Sequence, residues 1–151
     1  MFVGEYLHRI DNKGRLILPS AYREELEQRF EDKFHVTVGV DECLKVYPDS
    51  EWKKAVEQLG TLPQADAKTR YVVRMVVANA SPTTIDKQGR IFIPGTLREK
   101  VCIAKDVFVI GMMDTVEVWA KEKWETYRKA FDKQPLEKYH QELFDKGIFK
   151  K

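Results

Sequence analysis

IDNKGRLILPSAYRE, from Ile10 to Glu24, returns later in the same chain as IDKQGRIFIPGTLRE, from Ile85 to Glu99. The two stretches align without gaps. Ile10, Asp11, Gly14, Arg15, Pro19, Arg23 and Glu24 meet Ile85, Asp86, Gly89, Arg90, Pro94, Arg98 and Glu99, and Leu16-Ile17-Leu18 meets Ile91-Phe92-Ile93 in kind. Past a small difference in length the likeness resumes, VTVGV (Val36 to Val40) against FVIGM (Phe108 to Met112). LKVYPDSEW (Leu44 to Trp52) then answers VEVWAKEKW (Val116 to Trp124). Self-similarity of this kind decides how many structural parts to expect: two copies of one unit lie in tandem.

Each copy reads as a hairpin, a short helix, two more strands and a longer helix. A strand-like stretch runs into Asp-x-x-Gly-Arg and out through three β-favouring residues to a proline. Gly14 and Gly89 can take the positive φ that a tight turn needs, and Asp11 and Asp86 can accept hydrogen bonds from turn amides. Pro19 and Pro94 stop the strand, Ser20 and Thr96 are candidate helix caps, and Tyr22, Leu26 and Phe30 have near-helical spacing. VTVGV and CLKVY in the first copy, FVIGM and VEVWA in the second, alternate as strands. The helices that follow carry apolar stripes at Trp52, Val56 and Leu59 and at Trp124, Tyr127 and Phe131.

Between the copies, residues 65–81 read as a helix with a face of Ala67, Tyr71, Met75 and Asn79, although the valines lean toward strand. After Pro135 a further stripe, Leu136, Tyr139, Leu143 and Phe144, ends at Gly147. That tail has no counterpart in the repeat as aligned. Its stripe is either packed back on the chain or kept for a neighbouring subunit.

The chain has 151 residues, with Lys+Arg 26 against Asp+Glu 24 and 43% hydrophobic residues, which suits one domain or two small ones. So balanced a charge announces no nucleic-acid partner. Between Gln64 and Asp106, however, Lys68, Arg70, Arg74, Lys87, Arg90, Arg98, Lys100 and Lys105 outnumber Asp66, Asp86, Glu99 and Asp106. Local basic excess fits a DNA binder and an ordinary solvated surface equally well. No apolar run approaches a membrane span and charge arrives at Glu5, so a soluble cytoplasmic protein without a membrane partner is expected. Cys43 and Cys102 stand far apart with no Cys-x-x-Cys spacing, so neither a disulfide scaffold nor a zinc site is indicated. No metal and no cofactor are expected.

The residues also spell out no catalytic set. His8, His35 and His140 are scattered, glycine-rich phosphate loops are lacking, and no enzyme is expected. What remains is the doubled turn, DNKGR and DKQGR. A plain hairpin tip uses the Asp and the Gly but has no evident need of the Arg, and the tips add Asn12, Lys13, Lys87 and Gln88. Arginine offers a planar fork suited to phosphate and to the guanine edge, and Asn and Gln can address adenine. Arg9, with Lys68, Arg70 and Arg74, could extend a basic footprint along the backbone.

Over essentially its whole length the chain resembles the MraZ family of transcriptional regulators of the bacterial division and cell-wall gene cluster. The resemblance rests on the opening MFVGEYLHRIDNKGRLILPSAYRE and on the doubled DxxGR turn with its Pro-terminated strand. It implies an α+β fold in which two tandem AbrB-like swapped-hairpin halves form one small β-barrel-like pseudo-dimer flanked by helices. The expected parts are halves at 5–50 and 79–122, a helical linker at 51–78 and C-terminal helices at 123–151. It further implies a nucleoid-associated repressor acting as a ring-shaped homo-oligomer on double-stranded DNA, at direct repeats upstream of its own operon. Arg15 and Arg90 would be the main contacts, Lys13, Asn12, Lys87 and Gln88 the supporting ones, and Asp11 and Asp86 would hold the turns. The competing reading is an AbrB-like oligomeric protein-interaction module that does not bind DNA.

Overall fold

A computed structural model describes residues 1–149. The first repeat runs β1 (Glu5–Arg9), β2 (Arg15–Ile17), α1 (Ser20–Arg29), β3 (Lys33–Val38), β4 (Leu44–Pro48), α2 (Asp49–Gly60) and α3 (Ala67–Ala78). The second repeats it element for element: β5 (Ser81–Thr84), β6 (Arg90–Phe92), α4 (Gly95–Lys100), β7 (Asp106–Met112), β8 (Thr115–Ala120), α5 (Lys121–Phe131) and α6 (Leu136–Asp145). The C-terminal tail thus has a counterpart after all, α6 following α5 as α3 follows α2. Its side chains have diverged too far for the letters to show it.

The strands do not pair within their own halves alone. A six-stranded antiparallel sheet has the order β1-β7-β8-β4-β3-β5, and a two-stranded sheet joins β2 to β6. Exchanging first-copy strands for second-copy ones leaves that order unchanged, so a pseudo-two-fold axis relates the halves. It passes between β4 and β8 at Lys45 and Glu117, and between β2 and β6 at Leu16 and Ile91. β1 lies on β7 and β5 on β3, each at an edge of the sheet. The six strands form an open sheet, not a closed barrel.

This arrangement also corrects the hairpin reading. The arms around each Asp-x-x-Gly turn touch only briefly, in the first copy through one bridge between Ile10 and Leu16. They then part, β1 to the large sheet and β2 to β6. Leu16 and Ile91 point inward, fully buried, and with Phe34, Val36, Leu44, Val46, Val107, Val109, Val116 and Val118 they fill the core between the two sheets. Tyr22 and Leu26 of α1 and Leu97 of α4 complete it. Burying a side chain of this kind contributes roughly 1.5–3 kcal/mol, and contributions from both halves meet in one core.

Helix starts and faces differ from expectation in three places. Pro19 and Pro94 themselves occupy the capping positions, with φ −52° and −57°, and no side-chain cap bond forms, so Ser20 and Thr96 are not caps. Proline's locked φ and extended ψ already set the chain at the angle a cap would provide. Phe30 is 95% exposed, because it ends α1 in the left-handed region at φ 55°. On α3, Ala67 and Tyr71 of the expected face are exposed, while Met75 and Asn79 are half-buried together with Thr69, Val73 and Val76. There the Thr37 hydroxyl of β3 donates to the Val76 carbonyl at 2.6 Å.

The chain divides into two compact units, Met1–Lys121 and Glu122–Lys151. In the second, the rings of Phe131 and Tyr139 meet at 5.7 Å and the Tyr139 hydroxyl donates to the Phe131 carbonyl at 2.8 Å. Leu136, Leu143 and Phe144 are exposed, and Gly147 follows α6 at φ 71°. No helix among the described residues is long and apolar enough to cross a membrane.

Candidate functional site

Each Asp-x-x-Gly-Arg segment builds the same knot of hydrogen bonds. Asp11 Oδ1 accepts from the backbone amides of Lys13 and Arg15, both at 2.9 Å, and Asp86 Oδ1 accepts from those of Gln88 and Arg90 at the same distances. Gly14 and Gly89, at φ 82° and 80°, return amides to the Asp11 and Asp86 carbonyls at 3.0 Å. Each aspartate thus joins its turn through both its carboxylate and its carbonyl.

The arginines do more. Arg15 Nε donates to Asp11 Oδ2 at 2.8 Å, and Arg90 Nε to Asp86 Oδ2 at 2.8 Å. Arginine is therefore part of the turn, contrary to the expectation that the turn has no need of it. Its side chain is 32% exposed at Arg15 and 23% at Arg90, half-buried and not an open tip. The backbone hydrogen bond from Arg15, then the side-chain bond and the guanidinium charge, hold the Asp11 carboxyl below the ordinary carboxylate range. Arg90 does the same for Asp86. With Nε committed, the two Nη groups of each arginine donate no hydrogen bond among the described residues. The turn thereby orders one edge of the fork while its other donors stay open.

Arg15 and Arg90 share one small surface. Arg15 lies opposite Phe92 and Ile17 opposite Arg90 across the β2-β6 pair, with Leu16 and Ile91 between them pointing to the core. Strand alternation sends Arg15, Ile17, Arg90 and Phe92 to the outer face together. Diagonal neighbours in such a pair lie roughly 7–8 Å apart. Ile17 and Phe92 are about half exposed, at 47% and 48%. The surface is an arginine diagonal crossed by an apolar one, flanked by two turns whose Asn12, Lys13, Lys87 and Gln88 are exposed.

Arg9 stands at the end of β1 beside the first turn, 74% exposed but in a cross-strand ion pair with Asp106 at 3.2 Å. The linker cations are elsewhere. Lys68, Arg70 and Arg74 lie on α3, which packs on the face of β3 that carries Thr37. Phe34 and Val36 of that strand point the other way, into the core, so α3 and the outer face of β2-β6 lie on opposite sides of the molecule's first unit. Arg70 is also tied to its own loop, donating to the Gln64 and Ala65 carbonyls at 2.9 Å. These three do not extend the footprint of the turns.

Reading by motif missed Arg23 and Arg98. They are identical in the alignment, which was signal enough, and each comes from the helix of one half to lie on the turn glycine of the other. Among the described residues no three or more His, Cys, Asp and Glu side chains are grouped to hold a metal ion. His8 Nδ1 donates to the Ile17 carbonyl at 2.7 Å, and Cys102, expected in a core or strand, is exposed at the end of α4.

Fold and site together define a class: single-chain pseudo-dimers whose tandem halves exchange strands and set a pair of Asp-clamped arginines on one shared ribbon. Within that class the match is specific. The model of the family described as "MraZ protein, putative antitoxin-like" matches twice, at residues 1–75 and 76–147, and the chain belongs to the MraZ family. Among similar proteins, one from Lachnoclostridium phytofermentans is 47% identical over 126 residues, covering 83% of this chain and 86% of its own length. Another, from Caldanaerobacter subterraneus subsp. tengcongensis, is 48% identical over 132 residues, covering 87% and 90%. Both are named transcriptional regulator MraZ.

Proposed function

We propose that this protein is a transcriptional regulator that binds double-stranded DNA through the outer face of β2-β6 and its two flanking turns. The observation that carries the reading is the pair of arginine forks, each held by its own aspartate and set side by side across the pseudo-two-fold axis. Ordering the fork before contact lowers the entropy lost on binding, and its free Nη donors suit phosphate or the O6 and N7 of guanine. Lys13, Asn12, Lys87 and Gln88 would add support from the turns, and Arg9 from the end of β1. Ile17 and Phe92 offer apolar contact of the kind that reads a thymine methyl.

The fuller reading is a nucleoid-associated repressor of the division and cell-wall gene cluster that recognises direct repeats upstream of its own operon. Residues 5–50 and 79–122 supply the two AbrB-like DNA-binding halves. The exposed apolar stripe of α6 supports assembly into a homo-oligomer, whose several weak sites would gain avidity on repeated DNA. A second reading, docking of a protein on the same ribbon, draws on the exposure of Ile17 and Phe92.

Fluorescence anisotropy separates the two. The duplex from upstream of the gene is titrated with wild type, Arg15→Lys and Arg90→Lys, with one repeat or several, at two salt concentrations. Loss of a two-pronged base contact corresponds to about 1–3 kcal/mol, roughly tenfold to a hundredfold in affinity. Steep salt dependence and gain with repeat number are expected. Binding indifferent to salt, repeats and both arginines would leave the ribbon to a protein partner.

A further inference from the structure

Arg23 and Arg98 come from α1 and α4, on the chain just after the Pro-terminated strands, and they do the same thing twice. Arg23 Nε donates to the Leu18 carbonyl at 3.2 Å, and Arg98 Nε to the Ile93 carbonyl at 3.1 Å. The amides of those acceptor residues cross to the other half: Leu18 N–H donates to the Gly89 carbonyl at 2.9 Å and Ile93 N–H to the Gly14 carbonyl at 2.8 Å. The side chains cross as well. A methyl group added at Gly89 would lie 2.3 Å from Arg23 Cδ, and one at Gly14 would lie 3.0 Å from Arg98 Nη2. Each arginine therefore closes a loop of contacts from its own strand end, through a backbone bond, to the glycine of the opposite turn, and back through its own side chain.

These glycines sit one residue before the arginines that face the ribbon's outer surface. A shift of Gly89 moves the Arg90 amide, and with it the Asp86 clamp that orients the fork. We propose that Arg23 and Arg98 are positioning residues wired crosswise, Arg23 fixing the Asp86-to-Arg90 turn and Arg98 fixing the Asp11-to-Arg15 turn. Each DNA-facing turn is then set by the half it does not belong to. The inference deepens the DNA-binding reading and rests on it, but the clasp itself can be read without DNA. Contact is tighter at Gly89, where the aliphatic stem of Arg23 covers the backbone, than at Gly14, where the tip of Arg98 shares the space with the Phe92 ring. The second turn should depend on its clasp more strongly than the first.

The test uses the full chain and two readouts. Backbone amide NMR without DNA should show Arg23→Ala displacing the signals of Lys87 to Arg90 while those of Lys13 and Gly14 hold, with Arg98→Ala doing the converse. Arg23→Lys, which keeps the stem over Gly89, should restore most of the wild-type positions. If Arg23→Ala is too unstable to record, Arg23→Val, which fills more of the space but ends short of the Cδ that covers Gly89, is read for the same contrast. Anisotropy on the upstream duplex then supplies a double-mutant cycle. Arg23→Ala should cost little beyond Arg90→Ala but multiply with Arg15→Ala, the coupling amounting to roughly threefold to a hundredfold. Amide shifts confined to the mutated half, or coupling of Arg23 to Arg15 and not to Arg90, would overturn the crosswise assignment. Crossed shifts with duplex binding unchanged in all four arginine-to-alanine variants would uphold the clasp and overturn the DNA reading.

Discussion

Lys45 and Glu117 occupy equivalent positions in the two repeats, and they face each other across the β4-β8 pair on the pseudo-two-fold axis. In a dimer of identical halves such a position meets itself. Here the halves have diverged so that residues of opposite charge stand in register, the Lys45 ammonium over the Tyr47 ring and a Glu117 carboxylate oxygen accepting from the Trp119 indole N–H, and pairing two first halves with each other would set lysine against lysine. Opposed cross-strand charges contribute roughly 0.2–1 kcal/mol and like charges cost a similar amount. A difference of that size would favour folding within one chain over pairing of two first halves.

Lys45→Glu should therefore lower stability by about 0.5–1 kcal/mol, and adding Glu117→Lys should recover most of it. Urea denaturation of the two single variants and the double one measures the coupling. Strict additivity would show that the facing charges do not interact.

Gly89→Ala combines a left-handed backbone with a methyl group driven into Arg23. A loss of about 2–4 kcal/mol is expected from strain and overpacking together. Gly14→Ala, with its nearest neighbours at 3.0–3.1 Å, should cost less. Gly60→Ala, at the end of α2 with nothing within 4 Å, should be neutral or stabilising by up to about 1 kcal/mol. Thermal denaturation ranks the three.

Acid should loosen the two turns together. The carboxyls of Asp11 and Asp86 sit below their ordinary value of 3.8 when folded. The stability they contribute is complete above the unfolded value and fades as pH falls through the depressed folded one. The Gly14 and Gly89 amide signals should hold their positions down to about pH 4 and move below it. Glu25, lowered chiefly by the hydrogen bond from the N-terminal ammonium, titrates in the same window, so the reporter must be residue-specific. Asp11→Asn should remove the acid response at Gly14 and leave it at Gly89.

The two thiols should differ in reactivity. Burial pushes the Cys43 thiol up to about 12, and its side chain is wholly buried, whereas Cys102 is exposed. Alkylation of native protein followed by mass spectrometry should label Cys102 first, and Cys43 only at the rate of unfolding. Equal labelling would contradict the packing around β4.

Tandem halves, strand alternation and the Asp-Gly chemistry of the turns were legible because they are local or repeated. Asp11 and Gly14 act within four residues of each other, so their roles follow from the letters. Strand partners were not legible from residue patterns. VTVGV reads as a strand whichever neighbour it has, and nothing in EYLHR says that it lies on β7. The same limit hid the ribbon: Arg15 and Arg90 read as two separate tips until β2 and β6 were seen to pair. Arg23 and Arg98 were visible as identities but not as contacts, because each acts on the other copy. Phe30 and Tyr71 fit apolar spacing and face water, since spacing reports a helix but not which of its sides is covered.

Exchange of strands also bears on the order of synthesis. Glu5 pairs with Ile110 and Lys33 with Thr84, so the first half leaves the ribosome with β1, β2 and the outer edge of β3 lacking partners that have yet to be translated. Long-range pairing of this kind slows folding and leaves unpaired edges open to neighbouring chains. A nascent chain on a crowded polysome would meet the first halves of its siblings before its own second half, and the repulsion of Lys45 for another Lys45 acts during that interval.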